Sequence, residues 1–443
     1  MQRCKNHMKI LVIGKGGREH AIIRTIKQQN NVQIFCAPGN GGTAIDATNV
    51  DITEMEFDSI KKFTIKNKID FVIVTPDNPL AEGLVDTLQQ ENIPCFGPTK
   101  SAAKIESSKV FAKNFMQKYK IPTAAFQIFD NANKAINYIK NKNKFPITIK
   151  ADGLAFGKGV FIANTLNEAQ TIVENMLIKK QFKTSSEKIV IEEFLQGTEV
   201  SILCFTDGKT LKPMVSCMDH KKAFDNNKGP NTGGMGAITP NFAYTKTIAK
   251  TCMKTIFQPT VTALNKENRP FSGCLYFGLM LTENGPKVIE YNCRFGDPET
   301  QAILPLLQTN LLEIMLRTHQ QKLNETKIKF YDKTSACIIL ASKGYPNHFE
   351  TGFKITGLNY SNGQMCQNSE NIQIFHSGTK FQNNQFTTNS GRVLSLVSTH
   401  TSLKTAIKNA YDAAQLIDFK NKFYRTDIGA SAIKLETIST KNL

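Results

Sequence analysis

Lys287-Val288-Ile289-Glu290-Tyr291-Asn292-Cys293-Arg294-Phe295-Gly296-Asp297-Pro298-Glu299 begins as a β-branched apolar run and ends in glycine and proline. That is the pattern of a strand running into a loop. Side chains two apart on a strand share a face, so Glu290, Asn292 and Arg294 are expected to line one side, about 7 Å apart at each step. A carboxylate and an amide oxygen in that row are hard ligands suited to Mg²⁺ or Mn²⁺. Mg²⁺ takes few protein ligands and fills its shell with water and substrate phosphates. An arginine beside them suits a bound carboxylate or a transferring phosphoryl group. On alternation alone, a half-exposed strand with a merely solvated polar face reads equally well.

Working outward, Phe271 to Leu281 precedes this stretch and pairs with it as a hairpin. Before that lie Asp219-His220-Lys221-Lys222 and Gly229-Pro230-Asn231-Thr232-Gly233-Gly234-Met235-Gly236-Ala237. The second segment is too poor in core formers to be an idle loop. Lys188 to Leu195 reads as a strand with two acids, Glu192 and Glu193, near its end, and Glu199 opens the next run. A strand edge of this kind has backbone groups to read an adenine rim, with an acid nearby for ribose hydroxyls. Phe145 to Lys150 is a short strand ending in lysine and leading into Ala151-Asp152-Gly153-Leu154-Ala155-Phe156-Gly157-Lys158-Gly159-Val160. Three glycines and a lysine there can fold backbone donors over phosphates, although the spacing is not that of a P-loop. Lys109 opens an amphipathic helix.

The chain's start is a small open α/β pattern. Met8 to Gly14 is a strand, Gly14-Lys15-Gly16-Gly17-Arg18-Glu19-His20 a glycine turn, and an apolar-periodic helix follows. Such a turn aims N–H groups at an anion. The dinucleotide fingerprint is incomplete, because Glu19 stands in place of its third glycine and no acid closes the strand Val32 to Cys36. A phosphorylated sugar fits better than NAD, with Pro38-Gly39-Asn40-Gly41-Gly42-Thr43 as a second loop. After about residue 331 come strands at Ser335 to Ala341, Ile372 to His376 and Arg392 to Val397, then a helix with apolar positions from Leu403 to Ile417. These form an α+β cap.

Composition sets the outer bounds. A chain of 443 residues with 40% hydrophobic content supports roughly two to four domains with real cores. The charge of +18, from 55 basic and 37 acidic residues, attracts anions. It is spread along the chain without an arginine cluster or interleaved aromatics, which argues against nucleic-acid binding. No run approaches the ~20 apolar residues of a membrane span. Ten cysteines with no C-x-x-C pair point to buried, reduced thiols rather than a zinc site or a disulfide framework.

Taken together and in order, the motifs resemble the phosphoribosylamine–glycine ligases (glycinamide ribonucleotide synthetases), ATP-grasp enzymes of purine biosynthesis. The resemblance runs over nearly all of residues 8–430, and its most specific parts are Gly229 to Gly236 and Asn292 to Glu299. It implies a Rossmann-like N-terminal domain over 8–107, an ATP-grasp domain over 108–330 with a lid at about 129–197, and a small α+β domain over 331–430. The implied reaction joins glycine to 5-phosphoribosylamine, with ATP as co-substrate and Mg²⁺ or Mn²⁺ as cofactor, through a glycyl phosphate. Glu290 and Asn292 are then the metal ligands. Lys109 and Lys150 are the phosphate lysines, and Gly157, Lys158 and Gly159 belong to a glycine-rich lid loop. Glu192, Glu193, Phe194 and Leu195 form the adenine hinge, with Glu199 near the ribose. Arg294 steadies the acyl phosphate and Asp297 meets the glycine ammonium. Gly16, Gly17, Arg18, Gly39 and Asn40 take the phosphoribosyl group, and Asp219, Lys221, Asn231, Gly233 and Gly234 complete the substrate site. The resemblance also implies a cytoplasmic monomer acting on small molecules, with neither nucleic acid nor membrane as partner. The chain departs from the family pattern at Asp77, Phe156, Phe224 and Asn227.

Overall fold

Five short strands, all but Thr48–Asn49 largely apolar, and their glycine turns dictate the first unit. Lys9–Gly14, Gln33–Pro38, Thr48–Asn49, Phe71–Val74 and Cys95–Phe96 form a parallel sheet in which Lys9–Gly14 lies between Gln33–Pro38 and Phe71–Val74. Both faces are covered, so the central strands carry no polar alternation. The computed structural model describes residues 7–154, 159–182, 185, 187–358, 360–361, 364–365 and 372–441. The expected lid-loop residues Phe156, Gly157 and Lys158 lie outside them.

Two antiparallel sheets follow. The first orders Phe126–Phe129, Ile189–Glu193, Ile147–Ala151 and Val160–Ala163. It packs on the helices Ala132–Lys142 and Leu166–Val173 through Ala135, Ile139, Ile149, Val173 and Ile191. The second orders Leu211–Pro213, Thr198–Asp207, Ser272–Thr282 and Gly285–Asn292. Its last two strands are the hairpin read from the sequence. A bulge between Gly278 and Leu279 leaves Ile289 unpaired and sets Gly278 opposite Glu290 and Tyr276 opposite Asn292. Val288 and Tyr291 are buried beyond it, while Glu290 and Asn292 remain partly exposed on the other face.

The strand stops at Asn292, because the Cys293 N–H donates to Glu106 Oε2 (2.6 Å) rather than to a neighbouring strand. Arg294 therefore leaves the row it was expected to share. It lies past the strand end, with its guanidinium 3.4 Å from Glu106 Oε1.

The C-terminal unit differs from a cap built only of late residues. Its sheet is built on Thr334–Ser342, Arg392–His400 and Ile372–His376, but it also takes in Gly236–Thr239 and Met218–Asp219 from the middle of the chain. The glycine-rich segment read as a loop is thus partly strand. Lys228–Asn231 pairs with Lys222–Phe224, and Gly236–Thr239 pairs with Thr334–Ser342. Pairing with partners about a hundred residues away is invisible to local propensity. The helix Leu403–Leu416 covers this sheet with Leu403, Ala406, Ala410 and Ala414. Among the described residues all eight cysteines are free and buried, and no helix is long and apolar enough to cross a membrane.

Candidate active site

The cleft is built where the helix Lys109–Lys118 meets both antiparallel sheets. Ser108 caps that helix, its hydroxyl accepting from the Phe111 N–H (3.0 Å), and Asp152 accepts from the Ser108 hydroxyl and the Val110 N–H. These bonds tie the helix start to the glycine segment, and Lys109 Nζ donates to the Gly153 carbonyl (2.8 Å). Lys150 is the penultimate residue of the strand Ile147–Ala151 and crosses to the second sheet, where its Nζ donates to the Ile289 carbonyl (3.1 Å). It also lies 3.1 Å from Glu192 Oε2.

Adjacent residues of a strand face opposite ways, and Glu192 and Glu193 do so. Glu192 turns inward between Lys150 and Lys113. Glu193 turns outward, accepting from the Ala125 N–H and Lys287. Its pKa is held below the ordinary carboxylate value: burial pushes upward, but the bonds from Lys287 and the Ala125 N–H, with the Lys287 charge, together outweigh it. Phe194 and Leu195 follow the strand end, partly buried. The Gly159 carbonyl accepts from the Ala151 N–H.

Glu290 brings the two sides together. Its Oε1 accepts from Lys221 Nζ (3.2 Å), and Lys221 also lies 3.6 Å from Glu199. Lys221, and after it Lys150 and Lys109, hold the Glu290 carboxyl down to about 2 against the upward push of burial. Glu290 in turn raises the Lys221 ammonium above its usual range. Burial lowers Lys109, and Lys150 pushes the same way. One cleft therefore holds an ionised carboxylate, an amide on the same strand face and three converging ammonium groups.

This donor set fits a hard divalent ion that shares its shell with phosphates. Glu290 is kept ionised, and the Asn292 side chain makes no hydrogen bond among the described residues. No group of three or more His, Cys, Asp or Glu side chains suited to a metal occurs among them either. The site thus matches an ion brought in with a ligand rather than an all-protein cage.

Next to this cleft the three units meet. Gly16 and Gly17 open the first helix, and a side chain at Gly17 would fall 2.5 Å from Ser377 Oγ and 2.6 Å from Gln301 Nε2. Only glycine lets all three units converge there. The Arg18 N–H points at Asp297 Oδ2 (3.4 Å), and its guanidinium donates to the Phe295 carbonyl (3.1 Å). Asp297 Oδ1 lies 3.1 Å from Arg392, which also donates to the Gly233 and Asp297 carbonyls. Burial pushes the Asp297 carboxyl upward, but Arg392 and Arg18 hold it below its ordinary value.

Gly39 adopts a φ of +75°, and a Cβ there would strike Asn49. The Asn40 amide is engaged by protein, donating to the Lys15 and His376 carbonyls and accepting from the Gly42 and Thr43 N–H groups. It therefore shapes the loop by its side chain and leaves ligand contacts to the loop backbone. The Glu19 carboxylate accepts from the Gly16 N–H (2.6 Å) and the Thr75 hydroxyl (2.7 Å). A buried carboxylate inside the turn repels a diphosphate, which explains why the dinucleotide pattern breaks at this position.

Asp219 lies beside Gly234, and burial followed by Glu299 raises its carboxyl well above the usual value. Asn231 pairs with Lys222. Of the departures, Asp77 starts a short helix and acts electrostatically on Arg294 and Glu106. Phe224 lies half-exposed against Gly229 and Phe423, and Asn227 takes a left-handed backbone.

Four site residues escaped the sequence reading: Lys113, Glu106, Glu299 and Arg392. Glu299 is buried and accepts from Ser201 and Tyr276. Lys113 carried a usable signal, since it follows Lys109 by four residues and so shares its helix face. Glu106 and Arg392 are brought in by long-range packing, whereas Glu299 closes the stretch Lys287 to Glu299 and only its partners Ser201 and Tyr276 come from afar.

Sequence models of phosphoribosylglycinamide synthetase cover the chain in order: the N domain over residues 8–106, the ATP-grasp (A) domain over 107–300 and the C domain over 335–431. The chain belongs to the phosphoribosylglycinamide synthetase family. A family relative from Caldanaerobacter subterraneus subsp. tengcongensis, a phosphoribosylamine–glycine ligase, is 45% identical over 424 residues, 96% of this chain and 100% of its own. The crystal structure of phosphoribosylamine–glycine ligase from Thermotoga maritima aligns with a TM-score of 0.82 at 31% identity, covering 95% of this chain and 100% of that one. A biotin carboxylase from Campylobacter jejuni shares the fold at 14% identity and a TM-score of 0.71, covering 94% of this chain and 92% of that one. The fold is thus wider than the family, and membership of the family rests on the three sequence models and on the identity to its named relatives.

Proposed function

We propose that this protein joins glycine to 5-phosphoribosylamine at the expense of ATP, giving glycinamide ribonucleotide, ADP and phosphate. The observation that carries this reading is the convergence of Lys109, Lys150 and Lys221 on Glu290, in a chain that matches the family from residue 8 to residue 431.

A carboxylate is a poor acyl donor because its leaving group is oxide. Transfer of the γ-phosphoryl group to the glycine carboxylate gives an acyl phosphate whose leaving group is phosphate. The sugar amine then attacks the acyl carbon, the carbon–nitrogen bond forms, phosphate leaves and the nitrogen loses a proton. Little covalent chemistry is asked of the protein, which works by placement and charge neutralisation.

Lys109 and Lys150 hold the phosphates, and by the sequence resemblance Gly157, Lys158 and Gly159 serve the same phosphates. The strand end from Glu192 to Leu195 takes the adenine through its backbone, with Glu199 near the ribose. Glu290 and Asn292 would hold Mg²⁺ or Mn²⁺, which when bound neutralises phosphate charge. Arg294, oriented by Glu106, faces the acyl phosphate, and Asp297 takes the glycine ammonium. Gly16, Gly17, Arg18, Gly39 and Asn40 frame the phosphoribosyl group. Asp219, Lys221, Asn231, Gly233 and Gly234 close the far wall.

The test is ADP release with glycine and phosphoribosylamine, each omitted in turn and each replaced by other amino acids or amines, in Mg²⁺ and in Mn²⁺. Release that requires both substrates and stops with chelator is expected. Equal release with an unrelated acid and amine would point to a different carboxylate–amine ligation.

A further inference from the structure

Three charged side chains are packed into the wall of the cleft with almost no access to solvent: Lys113 is 2% exposed, Lys150 4% and Glu192 4%. The carboxylate is bracketed. Glu192 Oε1 lies 3.2 Å from Lys113 Nζ, and Oε2 lies 3.1 Å from Lys150 Nζ. Two ammonium groups and one carboxylate leave a single net positive charge, and a buried charge is costly unless it is matched.

The two ends of this triad are finished differently. Lys113 also donates to the Thr123 hydroxyl (2.7 Å), which passes its own hydrogen to the Val288 carbonyl (2.7 Å). That end is closed by protein. Lys150 reaches the Ile289 carbonyl, one residue before Glu290, and its charge is felt by Glu290 and Lys109. That end faces Glu290 and Lys109, so the surplus charge lies on the cleft side of the triad.

We infer that Lys113 is a positioning residue: by matching the charge of Glu192, it leaves the Lys150 ammonium available to the triphosphate instead of spent on the carboxylate beside it. Without Lys113 the Lys150–Glu192 pair is neutral in itself, and an incoming phosphate must compete with Glu192 for the same ammonium. Glu192 then acts through its side chain as the bridge between the lysines, and nucleotide contact at that position falls to the backbone. Burial brings the Lys113 ammonium down to about 8, with Glu192 opposing that fall, so Lys113 remains largely charged at neutral pH.

This inference rests on the cleft being the ATP site, and its test separates the two. Affinity for a non-hydrolysable ATP analogue with Mg²⁺ is measured by titration calorimetry on the full chain, together with kcat and the KM for ATP. Lys113→Met is expected to weaken analogue binding about tenfold, the effect of roughly one charge-assisted contact, and to raise the KM for ATP more than it lowers kcat. The double variant Lys113→Met with Glu192→Gln removes both charges and is expected to regain most of that loss. A residue that only fills space would show no such rescue.

Binding by Lys113→Met equal to wild type, or a double variant no better than the single one, overturns the inference while leaving the ATP site in place. A wild-type chain that does not bind the analogue overturns both. If circular dichroism shows Lys113→Met unfolded, Lys113→Arg and Lys113→Gln carry the test. Arginine is expected to keep the affinity and glutamine to lose it, and equal affinity in the two overturns the inference.

Discussion

The cleft between the two antiparallel sheets and the seam between the first helix and the C-terminal sheet both bury charge, but they finish it differently. In the seam, Asp46 receives His20 (3.0 Å), Arg24 (2.9 Å) and Lys27 (3.2 Å). Arg24 also donates to the Ile374 carbonyl, and the His376 N–H donates to His20 Nδ1. The cations there, Arg24 and Lys27, converge with the His20 ring on one carboxylate and also reach backbone oxygens. In the cleft, lysines face one another: Lys150 pushes the Lys109 ammonium down, and Lys150, Lys109 and Lys221 all act on Glu290. Like charges held together gain from an anion. Buried charge alone therefore does not mark a site. An arrangement that protein groups leave unbalanced does, and by that standard the seam fastens two units while the cleft receives a ligand.

The sharpest way to break this contrast is at Glu290. Glu290→Ala is expected to cut metal-dependent ADP release by about a thousandfold or more while leaving the circular dichroism spectrum unchanged. Near-wild-type turnover would remove Glu290 from the site. The opposite outcome is expected at the seam. Arg24→Ala leaves Asp46 short of a buried partner and should cost about 3 kcal/mol of stability in urea unfolding, with ATP-analogue affinity within about twofold of wild type. A large loss of affinity with little loss of stability would reverse the roles given to the two regions.

A pH series sharpens the seam further. Burial, aided by Arg24, brings the His20 imidazole down to about 4 from its ordinary 6.5, so the folded protein favours the neutral ring. The stability this contributes is fully present above pH 6.5 and is lost as the pH falls through 6.5 towards 4. Urea midpoints should drop over that window, and His20→Gln should flatten the drop. An unchanged slope in the variant would place the acid sensitivity elsewhere. The smallest expected effect is Thr123→Val, which removes the link from Lys113 to the Val288 carbonyl. It should cost about 1 kcal/mol in the same unfolding assay.

Much of the fold was legible locally. The hairpin ending at Asn292, the parallel strands Lys9–Gly14 and Phe71–Val74, and the helix Leu403–Leu416 follow from apolar period and glycine turns. Those signals act between near neighbours and need no partner. The glycine-rich segment after Lys228 was harder, since its strand character comes from pairing with Thr334–Ser342.

The site divides in the same way. The sequence alone determined which chemistry this chain carries, because Glu290 and Asn292 two apart on a strand share a face whatever surrounds them, and because the motifs fall in the family's order. Only the tertiary structure decided how the charges are matched. It turned Glu192 towards two lysines, moved Arg294 past the strand end onto Glu106, and brought Arg392 from the C-terminal sheet to Asp297. Electrostatic partners are set by distance in space, and residues nearly a hundred positions apart become neighbours only once the sheets have packed.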